Sequence, residues 1–579
     1  MNAVTRLAHT LLLSHPLPIP CLTPVFLQKV YAKSAARIFA GALLLLSLAT
    51  KTPAQQTFTL DDTLRGSITP ERAWWDLTFY RLEVAIDPDQ RYLTGQNEIR
   101  YRVLTPGQTL QIDLQPQLEL ESVEQDGIPL RFTRRGANAW MIALQKKQQP
   151  GATETIVARY SGVPREAPNA PWDGGFVWGK DRKGGHFIAT ACQGLGASAW
   201  WPCKDHAYDE PDSMQISLRV PQPLFAVANG RLRAIREHDD GTRSFEWTVV
   251  NPINNYGVNA DVAEYVHFAD TLHGAKGLLT LDYYVLPYNL LKAKVQFEQA
   301  KQTIRAFEHW FGPYPFYEDG YKLVETPYLG MEHQSSVTYG NKFKNGYLGS
   351  DLSGTGHGLK WDFIIVHESG HEWFANSITA RDVADMWIHE GFTCYSEGLF
   401  TEYHYGKEAG AEYLRGLRRN IRNDRPITGI YGVNYEGSGD MYYKGANMLH
   451  TIRQIVADDA RWRDMLRGLN RDFYHRTVDA AEIEAWMSRE AGRDLSKVFE
   501  QYLRDTRIPV FEYRLKKRTL EYRWAECVPG FDMPLKATIC GGKPGFIFPT
   551  AQWKKIPCVM EKTAELSIDP DFYIFVKKL

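Results

Sequence analysis

The chain has 579 residues, 44% of them hydrophobic and 23% charged, with a formal net charge of −1. That is globular material, long enough for three or four domains with several cores. A chain with no basic stripe, no block of like charge, no low-complexity run and no repeat of solenoid period gives no sign of a nucleic-acid partner or a repeat fold.

Residues 1–55 read as a leader. Lys29, Lys33 and Arg37 precede a twelve-residue apolar run, Ile38 to Ala49, and the small and polar residues KTPAQQ follow. This is the charged, apolar, cleavable order of a secretory signal, and the run is too short to span a bilayer. The expectation is export to a periplasm or the medium, with cleavage near Gln55 or Gln56 and no membrane span afterwards. An uncleaved anchor is the rival reading.

Residues 56–270 read as a β domain. Segments such as LTFYRLEVAID, LTGQNEIRYRVL, LQIDLQP and MQISLRVP alternate apolar and polar residues between Pro, Gly, Asn or Asp turns. Within this region the stretch CQGLGASAWWPCKDHAYDEPD, from Cys192, breaks the alternation with small and aromatic residues, as a loop beside a site does.

Residues 271–507 change character. After Leu286-Pro287 a helix is expected, because Phe297, Ala300, Ile304, Phe307 and Phe311 recur at three- and four-residue spacing, and it stops at Gly312-Pro313. YKLVETPYLGMEHQSSVTYGN then reads as strand, turn and strand.

The chemistry is concentrated from Lys360 to Leu399. His367-Glu368-Ser369-Gly370-His371 on one helix sets two imidazoles a turn apart on one face, with Glu368 beside them, and Ile364 and Phe374 extend that face inward. A catalytic zinc takes three protein ligands and leaves one position open, so a third donor is needed. Glu390 stands nineteen residues after His371 on the next helix-like segment, MWIHEGFTCYSEGLF, which leaves room for one helix to end and another to pack against it. Asp385 is a candidate partner for a ligand histidine, or a helix cap. Helical patterns then continue to about Thr506, among them MYYKGANML, and residues 508–579 read as a small β domain.

Outside the leader there are six cysteines. Cys527, Cys540 and Cys558 cluster near the end of the chain, so either one disulfide or three thiols is expected there. Cys192, Cys203 and Cys394 lack metal-ligand spacing and read as core.

HESGHEWFAN followed by WIHEGFTCYSE resembles the gluzincin zinc aminopeptidase family that includes aminopeptidase N and leukotriene hydrolase, whose pattern is HExxHxW…WLNEGFA. The resemblance runs over roughly residues 70 to 520. Carried over position by position, it implies one Zn²⁺ held by His367, His371 and Glu390, with Glu368 as general base. Leu329-Gly330-Met331-Glu332-His333 is similar to the family's Gly-x-Met-Glu-Asn, which makes Glu332 the partner of a substrate amine, with Gly330 and Met331 beside it. Leucine and histidine replace the outer glycine and asparagine of that motif.

Gln193 maps to a second amine contact. Tyr442, two residues before Lys444, maps to the hydroxyl that donates to the developing oxyanion. The implied fold is multidomain, with a saddle-like all-β N-terminal domain, a thermolysin-like α+β catalytic domain and a short C-terminal β domain. The long helical domain that caps the site in many members has no counterpart in this sequence. The expected activity is removal of N-terminal residues from peptides with a free amine. A zinc endopeptidase, an epoxide hydrolase activity and an inactive peptide-binding homologue are the alternatives.

Overall fold

The computed structural model describes residues 57–516, 518–539, 541–558 and 566–579. The expected leader therefore lies outside the described residues, and the fold is that of the unit Phe58–Leu579.

This unit opens with helices, where the domain reading predicts strands. At Leu60–Gly66, Thr59 Oγ1 accepts from Asp62 N at 3.3 Å and Asp62 Oδ2 accepts from Thr59 N at 2.7 Å. This reciprocal cap lets a seven-residue helix hold its end. A short helix at Pro70–Ala73 follows, and the first strand is Trp75–Asp87.

The N-terminal region is built of sheets. An eight-stranded sheet runs in the order Arg231–Glu237, Thr242–Val249, Ser213–Pro221, Trp75–Asp87, Tyr92–Val103, Thr153–Gly162, Leu118–Gln125 and Ile128–Pro129. It is antiparallel except where Trp75–Asp87 lies parallel to Ser213–Pro221. The alternation read from the sequence sends Leu82, Val84 and Ile86 inward, to a core they share with Trp200 and Trp201. A four-stranded sheet, whose inner strand His186–Ala191 leads into the loop carrying Gln193, lies beside it.

A separate five-stranded sheet begins at Val266, in the order Val266–Gly274, Gly277–Val285, Tyr321–Glu325, Val337–Tyr339 and Gly330–Met331. A domain boundary at 270/271 therefore falls inside a strand that pairs along its whole length with the next one. The edge of this sheet is Gly330–Met331, which delivers Glu332.

Four helices matter for the site: α1 (Glu298–Phe311), α2 (Phe363–Gly370), α3 (Trp387–Tyr405) and α4 (Tyr443–Val456). The helical run is not continuous to Thr506. An irregular stretch rich in Gly and Asn precedes α4, the strand Arg476–Val478 pairs with Ile378–Ala380, and the last helix among the described residues is Ser496–Arg504.

The C-terminal strands do not carry a core of their own. Phe511, Trp524, Phe531 and Tyr573 belong to the same buried cluster as Trp387 and Phe392 of α3. Tyr502 Oη donates to Tyr573 O at 2.6 Å, and Tyr573 N donates to Thr451 Oγ1 of α4 at 3.0 Å. Cys558 is disulfide-bonded, Cys527 is a free thiol and Cys540 lies outside the described residues. Cys192, Cys203 and Cys394 are buried free thiols, as expected.

Candidate active site

Helix α2 starts on Asp362, whose Oδ1 accepts from Ile364 N at 3.1 Å and Ile365 N at 3.4 Å. Asp362 Oδ2 also takes the Tyr339 hydroxyl and the Gln296 amide, both at 2.7 Å, so the helix start is tied to the sheet and to the end of the short helix Leu290–Gln296. The helix is shorter than expected. It ends at Gly370, and His371 occupies the C-cap with helical dihedrals (φ −64, ψ −18), which still sets it one turn past His367. Phe374 lies beyond this end, in a turn bridged to Ile378, so it does not extend the helical face.

Gly370 explains how closely α3 approaches. A Cβ there would sit 2.7 Å from Ser396 Oγ and 3.1 Å from Thr393 Cγ2, both on α3. Helices α3 and α4 meet through glycines as well, since a Cβ on Gly445 would come within 3.0 Å of Gly391 Cα. The glycine after Glu390 and the glycine after Lys444 are thus two halves of one contact, which carries Tyr442, at the N-cap of α4, toward the metal-binding pattern.

His367, His371 and Glu390 come together, all buried, with one ligand atom from each within 4.8 Å of the others. Glu390 Oε2 stands 3.6 Å from His367 Nε2 and 3.3 Å from His371 Nε2, and has no hydrogen-bond donor among the described residues. Zinc held tetrahedrally by nitrogen and oxygen ligands spaces those atoms about 3.4 Å apart, so the three side chains fit the ion.

Both imidazoles are oriented from behind. His367 Nδ1–H donates to Glu397 Oε1 at 2.7 Å, and the other oxygen of Glu397 accepts from Tyr413 Oη at 2.6 Å. His371 Nδ1–H donates to Phe374 O at 3.0 Å, with Thr393 Oγ1 at 3.1 Å. With both Nδ1 atoms protonated, each Nε2 lone pair faces Glu390.

Asp385, expected as a histidine partner or a helix cap, bonds to neither ligand histidine and instead supports a helix start. Its oxygens accept from Tyr431 Oη at 2.7 Å and from Ala480 N at 2.9 Å, at the start of the Ala480–Ala491 helix. Sequence reasoning misses Glu397, although it stands seven residues after Glu390 on the same face of α3.

A cavity of about 420 Å³ opens over this cluster, and Gln193, Gly330, Met331, Glu332, Glu368 and Tyr442 all line it. Burial pushes the Glu368 carboxyl up to about 7, against the pull of His367 and His371 and with the push of Glu332 and Glu390. Glu332 is 2% exposed, its Oε1 has no partner among the described residues, and burial raises its pKa. Its main-chain carbonyl accepts from Asn376 Nδ2 at 3.0 Å. His333 is buried and does not line the cavity, and burial lowers its pKa to about 3, so it is neutral.

Tyr442 stacks on His367 at 6.1 Å, and its phenol is raised by burial and then by Glu390 and Glu332. Tyr443 also lines the cavity, and its phenol is raised by burial first and then by Cys394 and Glu397, with neither Glu390 nor Glu332 among the causes. Gln193 makes a contact that the sequence does not suggest, because its Nε2 donates to Glu390 Oε1 at 2.8 Å. The loop after it turns through Gly194 (φ 69) and Gly196 (φ 94), and Gly194 O accepts from Arg65 Nη2 at 3.0 Å and Asn434 Nδ2 at 3.3 Å. Tyr256, which no sequence motif marks, has its phenol raised by burial and by Glu332 and Glu390.

A buried two-histidine, one-carboxylate cluster with a free glutamate beside it, set between a sheet edge and packed helices, has the donor set that HExxH zinc sites use. Residues 295–502 match the peptidase family M1 domain. Probable aminopeptidase 1 of Sulfurisphaera tokodaii is 22% identical over 460 residues, covering 76% of this chain and 55% of its own length. Aminopeptidase N of Lactobacillus helveticus is 24% identical over 356 residues, covering 56% and 39%. The chain thus spans about half the length of the curated relatives it matches. An M1 zinc metallopeptidase structure from Deinococcus radiodurans superposes with a TM-score of 0.63 at 20% identity, covering 75% of this chain and 95% of that one, which establishes a shared fold.

Proposed function

We propose that this protein is a zinc-dependent aminopeptidase that hydrolyses the first peptide bond of substrates with a free N-terminal amine. The observation that carries this reading is Glu332, a buried carboxylate with an unpartnered oxygen, in the same cavity as His367, His371 and Glu390. A carboxylate held out of water without a partner is costly, and an incoming ammonium removes that cost. In a peptide, a protonated α-amine exists only at the chain start. A mutant of the Deinococcus radiodurans M1 zinc metallopeptidase is bound to a Tyr-Ser-Ala substrate.

His367, His371 and Glu390 would hold one zinc ion per chain. When bound, zinc supplies a Lewis acid that polarises the scissile carbonyl and makes water acidic near neutral pH. Glu368 takes the proton from the attacking water and passes it to the leaving nitrogen. Tyr442 donates its hydroxyl to the oxygen on which charge develops. Glu332 and the amide oxygen of Gln193 receive the amine, which sets the carbonyl in register because it lies one residue away. Glu397 and Thr393 hold the imidazoles in place throughout.

The N-terminal sheets that end before Val266 are read as a saddle-like domain, the region from Val266 to Arg504 as a thermolysin-like α+β domain, and the strands from Val510 as a small β element that shares its core. Among the described residues no helix is long and apolar enough to cross a membrane. Export, with the leader removed, rests on the charged and apolar pattern of residues 1–55.

The test is mass spectrometry of digests of one peptide and its N-acetylated twin. Stepwise loss of N-terminal residues from the free peptide alone is the expected result. Internal cleavage of both at similar rates would make the protein an endopeptidase.

A further inference from the structure

We propose that a second cavity, lined by the apolar Pro313, Pro315 and Tyr474 and by the cations Lys276, Arg467 and Arg471, is a binding site for a small aromatic anion. It shares no lining residue with the catalytic cavity, so the inference goes beyond the aminopeptidase reading and does not depend on it.

The charge comes from one helix face and one hairpin. Arg463, Arg467 and Arg471 stand at four-residue steps on the helix Asp459–Asp472, which sets them on one face about 6 Å apart along the axis. Lys276 is added from the turn between the strands Val266–Gly274 and Gly277–Val285. The partners of these cations are neutral. Arg467 Nη1 donates to Glu308 O at 2.6 Å and to His309 O at 3.1 Å, Arg463 Nη1 to His309 Nε2 at 3.3 Å, and Lys276 Nζ to Tyr474 Oη at 3.3 Å. Among the described residues no carboxylate lies within ion-pair distance of Lys276, Arg463 or Arg467. Arg471 Nε donates to Asp472 Oδ1 at 2.8 Å, which leaves its terminal nitrogens without an acceptor among those residues. The acids of this region are engaged elsewhere: Glu308 accepts from Ala275 N, Tyr314 N and Tyr317 Oη, Asp472 accepts from Trp486 Nε1 as well, and neither lines the cavity. The field is felt at His309, whose pKa is lowered by burial first and then by Arg463 and Arg467. Like charges gathered without counter-ions repel one another, and an anion among them removes that cost.

The cavity holds about 400 Å³, a size that suits a small ligand. Its walls are fixed. Tyr474 Oη donates to Pro315 O at 2.7 Å, and Trp373 Nε1 donates to Gly312 O at 3.2 Å where α1 ends. Proline and aromatic rings supply apolar wall while three cations supply charge, a combination that matches an anion carried on a flat apolar body better than a bare ion. Asn470 also lines the cavity and is 7% exposed; its Nδ2 donates to Leu466 O at 3.0 Å, but its Oδ1 has no donor among the described residues. A ring N–H or hydroxyl on the ligand would satisfy that oxygen.

The probe is indole-3-acetate, which carries a carboxylate, a flat apolar body and one N–H, titrated calorimetrically into zinc-loaded protein. Saturable binding is expected, with a dissociation constant on the order of 100 µM. Indole-3-acetamide, which keeps the shape and loses the charge, should bind about tenfold more weakly or worse, and so should inorganic phosphate, which has charge and no ring. Lys276→Gln and Arg471→Gln should each weaken indole-3-acetate about fivefold to tenfold, and both side chains are exposed, so folding is not at issue. Arg467 is left in place because it closes the end of α1. Chelation of the metal should leave the affinity unchanged, since His367, His371 and Glu390 line the other cavity. The site is overturned by any of four results: no saturable binding below about 5 mM, equal affinity for the acid and either comparison ligand, unchanged affinity in both variants, or loss of binding on chelation.

Discussion

His367 and Glu397 form a 2.7 Å hydrogen bond behind the metal cluster, with Tyr413 holding the second carboxylate oxygen at 2.6 Å. Glu397→Gln preserves shape but can present an N–H to Nδ1, which favours the wrong tautomer of His367. Zinc affinity should fall about 10- to 100-fold, read by competition with a chelator. Asp385→Asn, which touches neither histidine, should leave zinc affinity unchanged and lower thermal stability instead, because it loses a helix-start acceptor. The reverse pattern would return the role to Asp385.

Two tyrosines share the cavity, and their surroundings separate them. Tyr442→Phe should lower kcat by about 10²–10³, as expected for loss of one oxyanion donor. Tyr443→Phe should have little effect on kcat, since Glu390 and Glu332 act on the Tyr442 phenol but not on that of Tyr443. Steady-state kinetics on one free-amine substrate decide it, and equal losses would refute the assignment.

Glu332→Ala should raise KM and lower kcat together on free-amine peptides, because it removes both an ion pair and the register it fixes. Gln193→Ala should affect substrate turnover less, since it gives up a neutral hydrogen bond. It should also weaken zinc binding measurably, because the Gln193 amide steadies Glu390 at 2.8 Å. Unaltered zinc affinity in Gln193→Ala would reduce that contact to a spectator.

Gly445→Ala tests the glycine contact between α3 and α4. A Cβ 3.0 Å from Gly391 Cα must push the helices apart, at a cost of about 1–3 kcal/mol in stability, and must shift Tyr442 relative to Glu390. Activity should fall further than the melting temperature suggests, and a variant with full kcat would show that the spacing is not critical.

Produced in a bacterium with residues 1–55 intact, the protein should be recovered outside the cytoplasm with a new N-terminus near Gln55 or Gln56. N-terminal sequencing of membrane-bound material that retains the leader would favour the anchor.

The metal cluster is legible in the sequence because its rule is local: residues four apart on a helix face one way, and nineteen residues suffice to bring a second helix round to them. Glu397 is equally legible in principle, at Glu390 plus seven on one helix face, whereas Asp385, nearer in sequence to the ligand, is turned toward Tyr431. The roles of Tyr442, Glu332 and Gln193 come from resemblance rather than spacing. The bond from Gln193 to Glu390 joins positions 197 residues apart, and no periodicity encodes such a contact. The glycine pair behaves likewise, since Gly391 and Gly445 each read as poor helix formers until their helices are seen to cross. Strand alternation locates most of the N-terminal sheets but misses the opening helices, which are held by a four-residue cap rather than by a long apolar period.

Because Phe511, Trp524 and Phe531 interlock with Trp387 and Phe392 in one buried cluster, the catalytic helices and the final strands are a single cooperative folding unit. Heat or denaturant should melt them together, and backbone amides of α3 and of Val510–Lys516 should exchange with solvent through the same global opening. Excision of the strands would strip apolar contacts from the helix that presents Glu390. The tail is thus part of what keeps the metal-binding helices rigid, although none of its described residues lines the cavity.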